Sequence, residues 1–217
     1  MSESVRDGSG VMEGKTYGQD HWDLRYAEDG YIFGEGPNRF LERQAPLLKP
    51  GMRALAVADG EGRNSVWLAE QGLEVVATDI SPVGIEKARQ LAASRGVTID
   101  HRQADMVSWD YPEAAFDVVV AIFIQVVGPA DRAKVFQGLR RALRPGGLLL
   151  LEGYTPDQLQ HGTGGPSAVE NLYTEALLRE AFAGLAIERL EAYEAELDEG
   201  PRHRGLSAVI DLVARKA

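Results

Sequence analysis

Short apolar runs and stretches of helical spacing alternate along most of this chain. The apolar runs predict strands at residues 52–58, 74–78, 116–123 and 148–151, and residues 98–102 are predicted to form a further short strand. Between them, apolar residues recur every three or four positions and predict helices at about residues 64–71, from Ser81 to Gly96, and from Pro129 onward. The run at 116–123 (FDVVVAIF) is β-branched and apolar almost throughout, which is typical of a strand covered on both faces. This alternation predicts a parallel sheet.

The pattern changes in the last part of the sequence. Thr174 caps a predicted helix, and two long strands follow at residues 185–197 and 206–214. Gly200 and Gly205 lie between them and favour a turn, so the two strands are predicted to form an antiparallel hairpin. The sequence therefore predicts a doubly wound, Rossmann-like α/β fold. Its sheet is mostly parallel and seven-stranded, with a C-terminal antiparallel hairpin and helices on both faces.

The amino-terminal part follows neither pattern. Residues 1–16 are polar and contain glycine and serine, which predicts a flexible tail, and residues 17–217 are expected to form a single domain. Pro37 and Asn38 begin a predicted helix that covers the sheet and ends at Lys49. Its apolar positions fall near helical spacing: Phe40, Leu41, Ala45, Leu47 and Leu48.

Composition narrows the chemistry. The 217 residues include no cysteine, so disulfides, thiolate-bound metals and thiol nucleophiles are excluded, and no other grouping of residues predicts a metal site. The formal net charge of -10 opposes binding to nucleic acid phosphates. No apolar run approaches the roughly 18 residues that span a membrane, and the polar start has no signal core. We therefore expect a cytoplasmic protein, monomeric or homodimeric, that acts on a small molecule and binds neither nucleic acid nor membrane.

The segment LAVADGEGRN, residues 55–64, predicts a strand that turns through glycines into a helix. Gly60 and Gly62 allow a sharp bend and close approach to a ligand, and the helix start behind them directs free N–H groups towards it. Asp79 ends the next strand 19 positions after Gly60, near the spacing of about 20 at which an acid meets a ribose in α/β nucleotide sites. Nicotinamide-dependent oxidoreductases share these features, but their third glycine would fall on Ser65.

Several segments together resemble class I S-adenosylmethionine-dependent methyltransferases and, among them, the branch of tellurite-resistance and thiopurine methyltransferases. The segments are WDLRYAEDGYIFGEGPN from Trp22, DGEGRNSVWLAEQG, VVATDIS, QADM, FDVVV and LRPGGLLLLEGYTP. The resemblance covers nearly the whole chain from Trp22. It implies a methyltransferase that uses S-adenosylmethionine, releases S-adenosylhomocysteine and methylates a small acceptor, such as a thiol, a metalloid oxyanion or another small metabolite.

The resemblance also implies where the cofactor binds. The glycine turn would lie against its methionine portion, Asp79 would hold the ribose, and Asp105 would accept from the adenine amine with Met106 beside the ring. Trp22 and Phe33 would help to close the pocket. The complete set of cofactor-binding residues implied in this way is Trp22, Phe33, Ala58, Asp59, Gly60, Gly62, Asn64, Asp79, Ile80, Asp105, Met106 and Phe123.

The glycine turn departs from the family pattern. Where the family commonly has DLGCGEG, this chain has Ala56 and Ala58 in place of the acid and the first glycine, and Asp59 in place of the cysteine. Ala58 is tolerable if its backbone keeps a negative φ, and Asp59 offers a carboxylate near the cofactor's ammonium group. These departures keep open a non-catalytic protein that binds adenosyl ligands, beside the methyltransferase and the oxidoreductase.

The sequence leaves the methyl acceptor and any catalytic group open. Candidate contacts to the acceptor are Tyr154, His161, Tyr173, Arg202 and His203, and the loop at residues 162–166 (GTGGP) is a candidate lid. An acceptor that is already anionic needs no general base. An oxygen or nitrogen acceptor needs one, for which Tyr154, His161 and His203 are the candidates.

Overall fold

The computed structural model describes residues 17–217, and the tail predicted at residues 1–16 lies outside them. The strands are β1 (Arg53–Val57), β2 (Glu74–Asp79), β3 (Asp100–Gln103), β4 (Phe116–Ile122), β5 (Leu143–Tyr154), β6 (Leu185–Asp198) and β7 (Arg204–Lys216). They form one sheet in the order β3-β2-β1-β4-β5-β7-β6. Strands β1 to β5 are parallel, and β7 runs antiparallel to both β5 and β6. The predicted fold class, including the terminal hairpin, is confirmed.

Helices cover both faces of this sheet. They are α1 (Gln19–Tyr26), α2 (Arg39–Arg43), α3 (Arg63–Glu70), α4 (Pro82–Arg95), α5 (Pro129–Ala142) and α6 (Glu175–Ala181). The side chains of Asn38, Ser81 and Thr174 each accept a hydrogen bond from a backbone N–H in the first turn of α2, α4 and α6, which satisfies donors that a helix start leaves free. Within residues 17–217, no helix has the length and apolar character needed to cross a membrane.

Two local predictions are wrong. The helix predicted from Asn38 to Lys49 ends at Arg43 and gives way to a 3-10 turn at Ala45–Leu47, because Pro46 has no N–H to donate and its ring disfavours a continued α-helix. The strand predicted at residues 148–151 begins earlier: β5 starts at Leu143 and includes residues 144–147, where its pairing with β4 shifts in register. Helix α1 was also not predicted, because its sequence QDHWDLRY is mostly polar and lacks an apolar stripe.

Alternate residues of the central strand face two separate cores. Val118 and Val120 pack in one cluster with Phe40 of α2, whereas Val119 and Ala121 pack in the other cluster with residues of α5. Strand β4 is buried along nearly its whole length, as its apolar sequence predicts. Both faces of the sheet are therefore covered, and the carboxyl ends of the parallel strands remain as the edge where open α/β sheets bind ligands.

Candidate active site

A cavity opens at the carboxyl ends of β1, β2 and β4. Ten of the twelve residues predicted to bind the cofactor line it: Trp22, Phe33, Ala58, Asp59, Asn64, Asp79, Ile80, Asp105, Met106 and Phe123. Further lining residues that the sequence did not single out include Tyr26, Glu61 and Arg63. Glu61 and Arg63 belong to the DGEGRN segment, so their position beside the glycines was the signal available for them. We call this the cofactor cavity.

Gly60 and Gly62, the two remaining predicted residues, do not line the cavity but shape the loop that bounds it. Both have positive φ, 62° and 93°. A Cβ at Gly60 would lie 2.5 Å from the hydroxyl oxygen of Tyr26, and one at Gly62 would lie 2.7 Å from the Cβ of Ala88. The turn after β1 therefore needs glycine both for its backbone conformation and for its packing against α1 and α4.

Asp79 is held in place by the backbone of two turns. Its Oδ2 accepts from the Gly60 N–H and its Oδ1 from the Ser81 N–H, both at 2.8 Å. Burial raises the pKa of Asp79 to about 6, although these hydrogen bonds act in the opposite direction. A carboxylate has about four acceptor positions, so two remain for hydroxyl groups of a ligand in the cavity.

Other carboxylates line the same cavity and make it acidic. Asp59 Oδ1 accepts from the Ser65 N–H at 3.2 Å, while its Oδ2 is buried and has no hydrogen-bond partner within residues 17–217. Burial raises the pKa of Asp59. Glu61 is paired with Lys87, whose Nζ lies 2.5 Å from Glu61 Oε1. With Asp79 and Asp105 the cavity holds four acids, of which the buried Asp59 oxygen is suited to a cationic group.

The backbone at this edge does not meet the condition under which Ala58 is readily tolerated. Its φ is 50°, whereas an alanine in the family's glycine position is tolerable at negative φ. Phe123, directly after β4, has φ of 54°. A left-handed conformation costs a residue with a side chain roughly 1–2 kcal/mol. Two such residues at the ends of adjacent strands, both lining the cavity, are strain of the kind found at functional sites.

A second cavity adjoins the first, and we call it the acceptor cavity. Trp22, Phe33, Phe123 and His203 line both cavities and form their shared wall. Tyr154 and Arg202 line the acceptor cavity, as does the predicted lid at residues 162–166. The structure therefore brings together three of the five residues considered for acceptor binding, namely Tyr154, Arg202 and His203.

The other two acceptor candidates lie elsewhere. His161 is outside both cavities and its Nε2 lies 2.9 Å from Glu194 Oε1. Tyr173 is 1% exposed and packs against Phe136 in the main core cluster, so it does not reach a ligand at either cavity. Arg25 of α1 lines the acceptor cavity and was not predicted, because nothing in the local sequence relates it to the distant segments that it faces.

His203 occupies the shared wall as a neutral ring. Its ring centroid lies 4.7 Å from that of Phe33 and 4.6 Å from that of Phe123, and its Nδ1 lies 3.5 Å from Arg63 Nη2. Burial, with the positive charges of Arg63 and Arg25, lowers the pKa of His203 to about 3. The imidazole is therefore uncharged near neutral pH and is a weak base.

A buried ion pair connects the cofactor cavity to the hairpin. Arg63 Nη1 lies 2.8 Å from Glu199 Oε2, and both side chains are almost fully buried. Glu199 also accepts from the Arg39 N–H at 2.8 Å and from the Asn38 amide at 3.2 Å. The start of α3, the start of α2 and the turn between β6 and β7 are thus joined at one carboxylate. Within residues 17–217, no three His, Asp or Glu side chains are grouped as a metal site requires.

Comparison with known proteins finds similarity to methyltransferases over part of this chain. Residues 54–147 match a family model described as a methyltransferase domain. A demethylmenaquinone methyltransferase from Thermus thermophilus is 35% identical over 112 residues, which cover 51% of this chain and 50% of that protein. The chain spans half or less of the length of the curated relatives it matches.

Two solved structures share the fold. NodS, an N-methyltransferase from Bradyrhizobium japonicum WM9 in complex with S-adenosyl-L-homocysteine, has a TM-score of 0.70 at 15% identity over 91% of this chain and 97% of that one. TehB from Haemophilus influenzae has a TM-score of 0.68 at 17% identity over 92% and 67%. At such identities the likeness shows the fold alone. The predicted resemblance to the tellurite-resistance branch therefore has no support beyond this shared fold. Residues 54–147 are thus similar to a methyltransferase domain, and the chain has the fold of NodS and TehB.

Proposed function

We propose that the protein transfers the methyl group of S-adenosylmethionine to a small-molecule acceptor and releases S-adenosylhomocysteine. The observation that carries this proposal is the pair of adjoining cavities at the carboxyl edge of the sheet. One is acidic and bounded by the glycine turn, and the other is aromatic and shares a wall with the first. The match to a methyltransferase domain and the fold support the same activity.

The residues of the cofactor cavity fit the adenosyl group. In this proposal Asp79 accepts from the ribose hydroxyls, and Asp105 accepts from the adenine amine beside Met106. The Oδ2 of Asp59 has no hydrogen-bond partner among residues 17–217, and in this proposal it accepts from the ammonium group of the methionine portion. Trp22 and Phe33 exclude water from the reacting end, because they form part of the wall between the cavities.

Methyl transfer requires little acid–base chemistry from this site. When bound, S-adenosylmethionine supplies a sulfonium methyl group: the acceptor's lone pair forms the new bond to carbon, and the electrons of the carbon–sulfur bond return to sulfur. The protein's task is to hold the two groups in line at roughly 3–3.5 Å. His203 is too weak a base to deprotonate a neutral hydroxyl efficiently, and burial raises the pKa of Tyr154, which keeps its phenol protonated. The site therefore favours an acceptor that is anionic before it binds.

Ligand screening followed by turnover tests this proposal. S-adenosylmethionine and S-adenosylhomocysteine are expected to raise the melting temperature, because a ligand that binds only the native state stabilises it, whereas NAD and NADP leave it unchanged. Release of S-adenosylhomocysteine in the presence of thiols, metalloid oxyanions and ionised aromatic compounds then measures methylation. Stabilisation by NAD alone would indicate the oxidoreductase. Binding of the adenosyl ligands without turnover of any acceptor would indicate the non-catalytic protein.

A further inference from the structure

The two cavities carry opposite charge. Four carboxylates line the cofactor cavity, with Arg63 as the one arginine or lysine among the described lining residues. Around the acceptor cavity, the lining residues within 17–217 include Arg25 and Arg202 and no aspartate or glutamate. The chain has a net charge of -10, with 33 acidic and 23 basic residues, so a cavity wall without carboxylates is not what its composition predicts. The acceptor cavity therefore disfavours amines and other cations and favours anions.

The two arginines of the acceptor cavity differ in their partners. The Nη2 of Arg202 donates to both carboxylate oxygens of Glu28, at 2.8 and 3.1 Å. The charge of Arg202 is therefore already compensated by a carboxylate outside the cavity. Arg25 has no such partner within the described residues, and its Nε is buried without a hydrogen bond. A buried donor of a charged group is costly to leave unsatisfied, so Arg25 is prepared to receive an anion.

Arg25 also lies beside the shared wall of the two cavities. Its guanidinium carbon lies 5.6 Å from the ring centroid of Trp22 and 5.9 Å from that of Phe33, both residues of the shared wall. It also contributes to the lowered pKa of His203 on the same wall. An anion beside Arg25 is thus close to the point where the two cavities meet.

Aromatic rings form much of the remaining wall of the acceptor cavity. The rings of Phe123 and Tyr154 are stacked with centroids 4.6 Å apart and planes inclined by 29°, and His203 lies edge-on to both. Trp22 stacks on Tyr26 at the other side, with centroids 5.5 Å apart. Offset stacking and edge contacts of this kind suit a planar ring in the ligand.

We infer that the acceptor is an anionic, planar aromatic compound whose negative charge pairs with the Arg25 guanidinium while its ring lies among Trp22, Phe123 and Tyr154. This inference rests on the proposed methyl transfer and specifies its substrate class. Arginine suits the role because its planar fork binds a carboxylate through two hydrogen bonds.

Matched acid and amide probes test the inference. Benzoate is compared with benzamide, and 2-naphthoate with 2-naphthamide, by calorimetric titration into protein saturated with S-adenosylhomocysteine. Each carboxylate is expected to bind at least tenfold more tightly than its amide. The substitution Arg25→Gln is expected to remove that preference, and Arg25→Lys to restore part of it. Arg189→Gln serves as the control, since Arg189 is an exposed arginine that lies 2.6 Å from Glu191.

The outcomes separate this inference from the proposed function. Equal affinity for acid and amide, or a preference that survives in Arg25→Gln, would overturn the inference while S-adenosylhomocysteine binding leaves the methyltransferase proposal standing. Failure of the unmodified protein to bind S-adenosylhomocysteine would overturn the proposed function and the inference with it. The melting temperature of each variant without ligand identifies any that fails to fold, and Arg25→Lys then decides the question because it retains the charge and most of the length.

Discussion

The two cavities share a wall but are built from different parts of the chain. The cofactor cavity is formed mainly by four short segments at the carboxyl ends of parallel strands, at residues 58–64, 79–80, 104–106 and 122–127. The acceptor cavity is formed by α1, the loop at residues 162–166 and the turn between β6 and β7, which are distant in sequence. A fold whose strands end at one edge places the first set together automatically. The second set depends on how its loops pack.

The two cavities also differ in the charge of their lining residues. The cofactor cavity presents buried carboxylates with raised pKa, whereas the acceptor cavity presents aromatic rings, a neutral histidine and an arginine with no carboxylate partner among the described residues. A cationic cofactor and an anionic acceptor would each meet the opposite charge. In the proposed reaction, attraction between the sulfonium and an anionic acceptor would add to the positioning of the two groups.

Breaking the ion pair between the cofactor cavity and the hairpin is expected to have the largest effect. Replacing Arg63 in an Arg63→Met variant leaves Glu199 buried without its cation, and removal of one partner of such a pair costs about 3–5 kcal/mol. Chemical denaturation measures the loss in the free energy of unfolding. The variant is also expected to bind S-adenosylhomocysteine more weakly, because Arg63 lines the cofactor cavity.

A double variant shows whether the loss comes from the unpaired charge. Arg63→Met with Glu199→Gln removes both charges and is expected to recover most of the stability, because the glutamine oxygen still accepts from the Arg39 N–H. Arg179→Met is the exposed control: its pairing with Glu175 on α6 is worth about 0.3–0.5 kcal/mol. A loss in Arg63→Met no larger than in this control would show that the buried pair stabilises the fold no more than an exposed pair does.

The substitution Asp79→Ala tests the cofactor cavity alone. It removes the proposed acceptor of the ribose hydroxyls and also frees the N–H groups of Gly60 and Ser81. We expect S-adenosylhomocysteine affinity to fall by about 100-fold or more, which corresponds to about 2.7 kcal/mol. Asp100→Ala, which removes an exposed acid of β3 bound to Arg102, is the matched control and leaves affinity unchanged. Calorimetry that finds equal affinity in both variants would reject the ribose assignment.

The difference between the cavities also explains which residues the sequence could reveal. Asp79 ends a strand that its apolar pattern locates, and Asp105 comes two residues after the next strand, so their place at the sheet edge could be predicted. Arg25 lies on α1, a helix without an apolar stripe, and faces segments more than 100 residues away, which no local pattern encodes. His161 and His203 were equivalent as loop histidines, and only the packing of the hairpin separates them. The positive φ of Ala58 was missed because alanine gives no signal of left-handed backbone.

The pH dependence of binding is expected to differ between the cavities. Since the pKa of Asp79 is about 6, its carboxyl is ionised above that pH and protonated below it. A protonated carboxyl must lose its proton to accept from both hydroxyls, so S-adenosylhomocysteine affinity should fall about tenfold per pH unit below 6 and level off above 7. In contrast, the acid-over-amide preference of the acceptor cavity should vary little from pH 6 to 8, because His203, with its pKa of about 3, does not titrate there and burial lowers the pKa of His21, the other histidine that lines this cavity. Affinity for S-adenosylhomocysteine that stays constant down to pH 5 would contradict the role given to Asp79.

The smallest effect is expected at the alanine that replaces the family's glycine. Ala58→Gly relieves a positive φ of 50° but adds freedom to the unfolded chain, so stability should rise by less than about 1 kcal/mol. Affinity for S-adenosylhomocysteine should change by less than about threefold, because the Ala58 methyl packs against the main core cluster. Ala114→Gly is the matched control, with φ of 49° at an exposed position outside both cavities. A gain in affinity above tenfold in Ala58→Gly alone would show that this methyl group obstructs the cofactor and would strengthen the case for a protein that has lost catalysis.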